Sequence, residues 1–103
     1  MKDLPITEIE IVPVKPQNGL VAFASCVFDD RLYLGHIAIV SSLSHPDGFR
    51  LIYPTKSLLA GKAIHCFFPI NRDTGQLLHK AIVGKFLKLI ASNGAREKNI
   101  ENV

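Results

Sequence analysis

The chain contains four histidines and two cysteines, and the candidates for binding a transition metal among them are Cys26, His36, His65 and Cys66. Structural zinc sites usually contain close ligand pairs such as Cys-x2–4-Cys, because the intervening turn directs both side chains at one ion. Here only His65 and Cys66 are close, and neighbours on a strand point to opposite faces. The spacing therefore predicts no metal site, and no motif predicts another cofactor. Both cysteines lie in apolar strand-like runs, so we expect buried free thiols in a reducing compartment.

The motifs that could support catalysis are weak. His45-Pro46-Asp47 matches a tripeptide of J-domain cochaperones, but it lies in a Ser-rich run between predicted strands, where proline and aspartate are common turn residues. The stretch TKSLLAGK lacks the spacing of a phosphate-binding loop. Carboxylates of the first half fall on a strand face or in a turn, where we expect them to be solvated: Glu8, Glu10, Asp29 and Asp30. We therefore expect no enzyme active site and no small-molecule substrate.

The basic residues carry more information. The 103 residues include 12 Lys and Arg against 9 Asp and Glu, a net charge of +3. The excess is C-terminal, because residues 61–103 hold 7 basic and 3 acidic groups whereas residues 1–60 hold 5 and 6. Lys56 and Lys62 flank a segment between two predicted strands, and Arg72 precedes a predicted helix that carries Lys80, Lys85 and Lys88. A helix amino end beside an arginine can hold phosphate, although most basic helix faces serve only as a solubilising surface.

The first two-thirds of the chain have the pattern of antiparallel strands. ITEIEIVPV alternates aliphatic and acidic residues, and Pro13 predicts that this strand either lies at a sheet edge or ends there. Asn18-Gly19 suits a hairpin turn, which leads to a central strand over Leu20–Phe28. Asp29-Asp30 predicts a second turn. Further strands are expected at the apolar runs Arg31–Val40, Phe49–Pro54 and Ala63–Pro69.

The last segment predicts one helix. From Thr74 onward apolar residues recur at helical spacing, and Asn71, Asp73 or Thr74 can cap the amino end. Gly94 predicts the helix end, followed by a flexible polar tail over 95–103. We therefore predict a single domain over 1–94 with an α+β fold, in which the helix packs on an antiparallel meander of about five strands.

The size and composition bear on assembly and location. Hydrophobic residues make up 48% of the chain, which excludes wholesale disorder. A chain this short buries only about 60–70% of its unfolded surface, which favours a homodimer. No apolar run reaches the roughly 20 residues that span a bilayer, so we expect a cytoplasmic protein without a membrane partner.

Together these segments resemble the SpoVG family, also called septation proteins, from about Ile6 to Phe86. The more specific matches are FRLIYPTK, similar to the family's Gly-Leu/Phe-x-x-x-x-Pro-Ser-Lys stretch, and FFPIN, similar to its Pro-Ile-Asn before the helix. The opening strand and VAFASCVFDDRLYLGHIAIV are also similar to the family. The resemblance implies a bacterial α+β homodimer that binds DNA, and in some members RNA, as a regulator of septation, sporulation or virulence genes.

The resemblance also implies which residues bind. In the family they are a basic pair after the Pro-Ser and the residues that open the helix. Carried over, the pair becomes Lys56 and Ser57, and the helix-opening positions become Arg72, Asp73, Thr74 and Gly75. Lys62 is close enough in sequence to replace the charge missing at Ser57, and Lys80 would extend the patch. Ser57 and Asp73 depart from the family pattern, and His65 stands where it usually has an acidic residue.

These departures keep a second interpretation open. One positive charge is lost at Ser57 and one negative charge is added at Asp73, so binding to a polyanion should be weaker than in the family. The chain would then be a non-enzymatic protein-interaction module with the same fold and weakened DNA binding.

Overall fold

The computed structural model describes the backbone of residues 5–101 and the side chains of residues 5–92. Over this range six strands are followed by one helix: β1 (Ile6–Gln17), β2 (Leu20–Phe28), β3 (Leu32–Ser41), β4 (Phe49–Ile52), β5 (Thr55–Ser57), β6 (Ala63–His65) and α1 (Arg72–Glu101). Strands β1 to β4 form an antiparallel sheet in chain order, and β5 and β6 form a separate antiparallel hairpin. The predicted α+β class and meander are confirmed, with four strands in the main sheet instead of about five.

Two tight turns set the register of the first three strands. Asn18 and Gly19 have φ angles of 55° and 89°, and Asp29 and Asp30 both have φ angles of 57°. Asn18-Gly19 is a two-residue hairpin turn, because Gln17 pairs with Leu20, and its twist matches that of the flanking strands. Asp29-Asp30 belongs to a three-residue loop with Arg31, because Phe28 pairs with Leu32, and the Arg31 amide donates a 3.1 Å hydrogen bond to the Phe28 carbonyl. Asparagine, aspartate and glycine adopt positive φ angles more readily than other residues. Both predicted turns are therefore confirmed, as is the edge position of β1.

Bulges in β1 and β3 direct extra apolar side chains toward the helix. Glu8 and His36 have φ angles of 49° and 60°, and each lies where its strand advances by three residues while β2 advances by two. In β1 the residue inserted at the bulge brings Ile6 and Ile9 to the same face despite their odd spacing, and both contact the core. The core face of β1 is thus wider than simple alternation predicts.

Helix α1 packs on one face of the main sheet. The contiguous cluster of buried side chains comes from β1, β2, β3 and α1: Ile6, Ala22, Ala24, Cys26, Ile37, Ile39, Leu78, Ile82 and Phe86. Small residues of β2, Ala22 and Ala24, belong to this core, and the rings of Phe49 and Phe86 meet edge to face at 5.1 Å. The apolar stripe predicted for the helix therefore forms its buried face at Leu78, Ile82 and Phe86.

The helix boundaries differ from the prediction at the carboxyl end. Its amino end is capped by Asn71, whose side-chain oxygen accepts a 2.8 Å hydrogen bond from the Thr74 amide. The predicted end at Gly94 is wrong, because the helical backbone continues to Glu101. A glycine costs a helix only about 1 kcal/mol relative to alanine, and good helix formers follow it. Residues 102–103 lie outside the described range, and the division into a domain over 1–94 and a flexible tail over 95–103 stays a prediction. No helix among the described residues is long and apolar enough to cross a membrane.

The two cysteines have different environments. Cys26 is fully buried in β2, and burial raises the pKa of its thiol, as expected for an inert core cysteine. The expectation that Cys66 is also buried is wrong, because it is exposed. The predicted strand over Ala63–Pro69 is confined to β6, and Cys66 follows this short strand in a hairpin that does not pack on the main sheet.

The sheet face opposite α1 carries an apolar row. Val12, Phe23, Ala38 and Ile52 are consecutive cross-strand partners from β1 to β4. Val12 is 60% exposed, and Phe23 and Ile52 are 37% and 39% exposed. The main sheet thus has one face covered by the helix and one face that presents hydrophobic side chains to solvent.

The packing of α1 on the sheet predicts a contrast between two isoleucines of the same helix. Ile82 is fully buried and Ile90 is 45% exposed. We expect Ile82→Ala to lower the free energy of unfolding by about 2–5 kcal/mol, because it leaves a cavity in the core. Ile90→Ala, the matched control, should lower the free energy of unfolding by less than about 1 kcal/mol. Urea denaturation followed by circular dichroism measures both values, and equal costs would contradict this packing.

Candidate nucleic-acid interface

The β5–β6 hairpin carries the first group of predicted binding residues. Lys56 is paired with Ile64, and Ser57 with Ala63, in the two-stranded ladder. The amide of Leu58 donates a 2.7 Å hydrogen bond to the carbonyl of Lys62, which places Lys62 at the end of the same ladder. Lys56, Ser57 and Lys62 are all exposed. The structure therefore brings these three residues together on one short hairpin.

The first turn of α1 carries the second group. Arg72 and Asp73 are exposed at the start of the helix, and Asn71 accepts hydrogen bonds there from two later amides. The Thr74 amide donates to the Asn71 side chain, and the Gly75 amide donates a 3.1 Å hydrogen bond to the Asn71 carbonyl. The cap therefore occupies part of the hydrogen-bonding capacity that a phosphate would use at a helix start. The charge of the Arg72 guanidinium becomes the main attraction for an anion at this end.

An open cleft of about 780 Å³ separates the start of α1 from the loop between β3 and β4. On the helix side it is lined by Arg72, Gly75, Gln76, His79 and Lys80. These residues share a face because they are spaced at three to four residues along the helix. Thr74 instead lines an apolar cavity of about 330 Å³ on another side of the helix, with Phe28 and Leu78 among its neighbours. The structure thus groups Arg72, Gly75 and Lys80, and it separates Thr74 from them.

The opposite wall of this cleft is formed by the tripeptide His45-Pro46-Asp47. As the turn chemistry predicts, the His45 carbonyl accepts a 3.0 Å hydrogen bond from the Gly48 amide, and Asp47 Oδ1 accepts one of 3.2 Å from the Phe49 amide. Asp47 Oδ2 also lies 2.7 Å from His79 Nε2 of the helix. The tripeptide therefore ties the β3–β4 loop to α1, a role that its turn-forming residues alone do not indicate.

A pair of stacked histidines completes this attachment. The rings of His45 and His79 are nearly parallel, at 14°, with their centroids 5.3 Å apart. His45 Nδ1 lies 3.1 Å from the Ser42 hydroxyl. The result is two separate hydrogen-bonded pairs, Ser42 with His45 and Asp47 with His79, whose imidazoles stack instead of bonding to each other. This arrangement does not form the continuous hydrogen-bonded chain of a catalytic triad.

The pKa of Asp47 is lowered from its ordinary value. Partial burial acts in the opposite direction and would raise the pKa, but hydrogen bonds from His79 and from the Phe49 amide outweigh it. The charges of His79 and His45 lower the pKa further. Asp47 is therefore held as a carboxylate whose hydrogen bonds go to His79 and to its own loop.

The lysines and arginines of both groups form no ion pairs with acidic side chains of the described range. Across residues 5–92 the one ion pair within 4.0 Å joins His79 to Asp47, so no carboxylate of this range pairs with a lysine or arginine of either group: Lys56, Lys62, Arg72 and Lys80. The segment from Gly48 to Arg72 contains four basic residues and no Asp or Glu. Unpaired, hydrated cations of this kind are available to phosphate groups.

The basic character continues along α1 beyond the cleft. Lys80, Lys85 and Lys88 line a second open cleft between the helix and β1, whose floor includes Ile6 and Ile9. Their aliphatic stems can cover this apolar floor while the ammonium groups stay in water. The predicted polar face of the helix is therefore present. Lys80 lies on it and also lines the first cleft, next to the β3–β4 loop.

The candidate metal ligands are not gathered in one place. Cys26 is buried, whereas His36 is exposed and lines a shallow depression on the other side of the sheet with Phe23 and Tyr33. His65 packs against the ring of Phe68, with centroids 5.2 Å apart. In the part of the chain that the structure describes, no three His, Cys, Asp or Glu side chains are placed to hold a metal ion.

Comparisons with known proteins agree on one family. The family model SpoVG matches residues 4–88 of this chain. A Treponema denticola protein named "Putative septation protein SpoVG" is 27% identical over 85 residues, which cover 82% of this chain and 88% of the relative. A Clostridium kluyveri protein of the same name is 21% identical over 98 residues, which cover 95% of this chain and 99% of the relative.

The contact between Asp47 and His79 predicts a pH-dependent contribution to stability. Because the pKa of Asp47 is lower in the folded chain than in the unfolded one, its contribution is fully present above the ordinary carboxyl pKa of about 4 and is lost as the pH falls through the folded value. We expect Asp47→Asn to lower the free energy of unfolding by about 0.5–1 kcal/mol at pH 5.5, and this deficit to shrink as the pH falls below about 4.

Thermal unfolding of both proteins across this pH range measures the deficit. Asp30→Asn is the matched control, because it removes the same charge from an exposed turn where no ion pair is present among the described residues. A deficit of Asp47→Asn that is unchanged at pH 3 would show that the carboxylate charge is not what stabilises the loop.

Proposed function

This chain belongs to the SpoVG family, and from that membership and the cationic groups described above we propose that it is a dimeric nucleic-acid-binding regulatory protein. In this proposal it binds DNA, and RNA by the same surface, in the control of septation or of gene expression. It acts in the cytoplasm without an enzymatic activity of its own, which fits the two free cysteines.

The observation that carries the proposal is that the cations on the hairpin and at the helix start have no carboxylate partner among residues 5–92. Lys56 and Lys62 would contact phosphates from the hairpin, and Arg72 would do so from the first turn of α1. Lys80 would extend this surface along the cleft. Phosphate contacts supply most of the sequence-independent affinity of proteins for DNA, because each one releases a condensed counterion.

A dimer would strengthen this binding, since two copies double the number of phosphates bound on one nucleic acid. The apolar row on the uncovered sheet face, with Val12 60% exposed, is a surface that a second copy could bury. Sedimentation would report the dimer directly. In the dimer the basic hairpins and helix starts of both copies would face one polyanion.

The same apolar row favours the second candidate function, a protein-interaction module with weakened DNA binding. Ser57 supplies no charge beside Lys56, and Asp73 adds a negative charge beside Arg72. If a protein partner covers the sheet face, the chain should co-purify with protein and not with nucleic acid. The ratio of absorbance at 260 and 280 nm of the freshly purified protein separates the two candidates.

The proposed function predicts salt-dependent binding that requires the cations of both groups. Fluorescence anisotropy with a labelled duplex and a labelled RNA across salt concentrations should give affinities that fall steeply with salt. Lys56→Ala and Arg72→Ala should each reduce the slope of log affinity against log salt by about one for each phosphate that is no longer neutralised. In a dimer each substitution removes a cation from both copies, so the reduction should double.

Lys15→Ala is the matched control for these variants. Lys15 is exposed on β1, at the sheet edge opposite β4, from which the hairpin continues. The substitution removes the same charge from a surface outside the proposed interface. The slope of log affinity against log salt should therefore stay close to that of the unchanged protein. An affinity that does not respond to salt, or equal losses in all three variants, would contradict the proposal.

A further inference from the structure

The tip of the β5–β6 hairpin has a well-defined turn. The Gly61 amide donates a 3.0 Å hydrogen bond to the carbonyl of Leu58, and the Leu58 amide donates one of 2.7 Å to the carbonyl of Lys62. Gly61 has a φ angle of 82°, in the left-handed region. This is the pattern of a three-residue hairpin loop, in which a turn is followed by a glycine in the left-handed conformation. The tip therefore presents its side chains in a fixed direction.

Leu59 occupies the outermost position of this turn and is fully exposed, with a relative exposure of 108%. Leu58 beside it is 43% exposed and Ile64 on β6 is 52% exposed. The turn itself does not require leucine, because polar residues and proline are preferred at such positions. Folding of the described part of the chain therefore gives no reason for a large apolar side chain at the tip.

The charges around Leu59 indicate what it meets. Lys56 and Lys62 flank the tip, both are exposed, and no acidic residue occurs between Gly48 and Arg72. Among the described residues the other fully exposed leucine is Leu43 in the β3–β4 loop, which is not flanked by two cations, because its nearest charged residue on the carboxyl side in the sequence is Asp47, followed by Arg50. An apolar tip between cations on a two-stranded ribbon is complementary to a polyanion with an apolar interior. Duplex DNA has this arrangement, with charged phosphates outside and stacked bases inside.

We propose that the β5–β6 hairpin lies in the minor groove of duplex DNA and that Leu59 inserts between two base pairs and kinks the duplex. This inference rests on the proposed function and extends it, because it names double-stranded DNA as the substrate and bending as the consequence. Apolar wedges inserted from the minor groove unstack a base step and bend DNA by about 20–90°. Lys56 and Lys62 contact phosphates on the two sides of the groove. The cost of unstacking is lowest at flexible pyrimidine–purine steps.

The experiment measures binding and bending separately on the full chain. A duplex of about 25 base pairs with a central TA step carries a donor and an acceptor dye at its two ends. Anisotropy reports binding, and energy transfer between the dyes reports the end-to-end distance. The unchanged protein should raise the energy transfer, and netropsin, which occupies the minor groove, should compete with it.

Leu59→Ser should abolish most of the rise in energy transfer at saturating protein, because serine cannot act as an apolar wedge. Leu59→Phe should retain it, and Leu43→Ser, the matched control with an equally exposed leucine, should leave it unchanged. A mismatch at the central step makes the duplex easier to deform, so it should improve the affinity of the unchanged protein by about tenfold. The same mismatch should improve the affinity of Leu59→Ser much less.

Each other outcome overturns the inference in a recognisable way. If the unchanged protein binds the duplex but neither bends it nor competes with netropsin, the wedge is refuted and the proposed function stands. If the unchanged protein does not bind at all, the proposed function fails first, and the wedge fails with it. If Leu59→Ser bends DNA normally, or if it changes the sedimentation coefficient of the free protein, the tip contacts something other than the base stack.

Discussion

The contact between helix α1 and one face of the main sheet determines where the basic residues lie. Leu78, Ile82 and Phe86 are buried in one core with side chains of β1, β2 and β3. Because the buried stripe fixes the rotation of the helix about its own axis, it also fixes the direction of the opposite face. The cationic positions at Arg72 and Lys80 are therefore a consequence of core packing.

The contact between Asp47 and His79 helps to explain why Arg72 and Lys80 have no carboxylate partner among the described residues. Asp47 is the acidic residue that lines the cleft with Arg72 and Lys80, and it is 2.7 Å from His79. A carboxylate hydrogen-bonded to an imidazole and to a backbone amide is less able to pair with a neighbouring lysine or arginine. The loop that closes the cleft is thus attached to the helix without neutralising its basic residues. This combination holds the site in place and leaves its charge available to a ligand.

The features that depend on neighbouring residues were predictable from the sequence, and those that depend on distant contacts were not. Asn18-Gly19 and Asp29-Asp30 indicate turns because their own conformational preferences favour positive φ, and the structure has them. The pairing of Asp47 with His79 joins residues 32 positions apart, and no local pattern indicates it. Cys66 has an apolar neighbourhood in sequence but is exposed, because burial depends on whether another element covers the hairpin. The bulges at Glu8 and His36 were missed since simple alternation assumes an uninterrupted strand.

Amide chemical shifts during a DNA titration would test most directly whether the hairpin and the helix start form one nucleic-acid surface. Isotope-labelled protein is titrated with a short duplex, and the shift of each backbone amide is followed. We expect the largest changes in residues 55–65 and 72–80, which span the hairpin and the start of α1, with small changes along β1 near Lys15. Changes confined to the uncovered sheet face around Val12 and Phe23, or no changes at all, would contradict a shared surface.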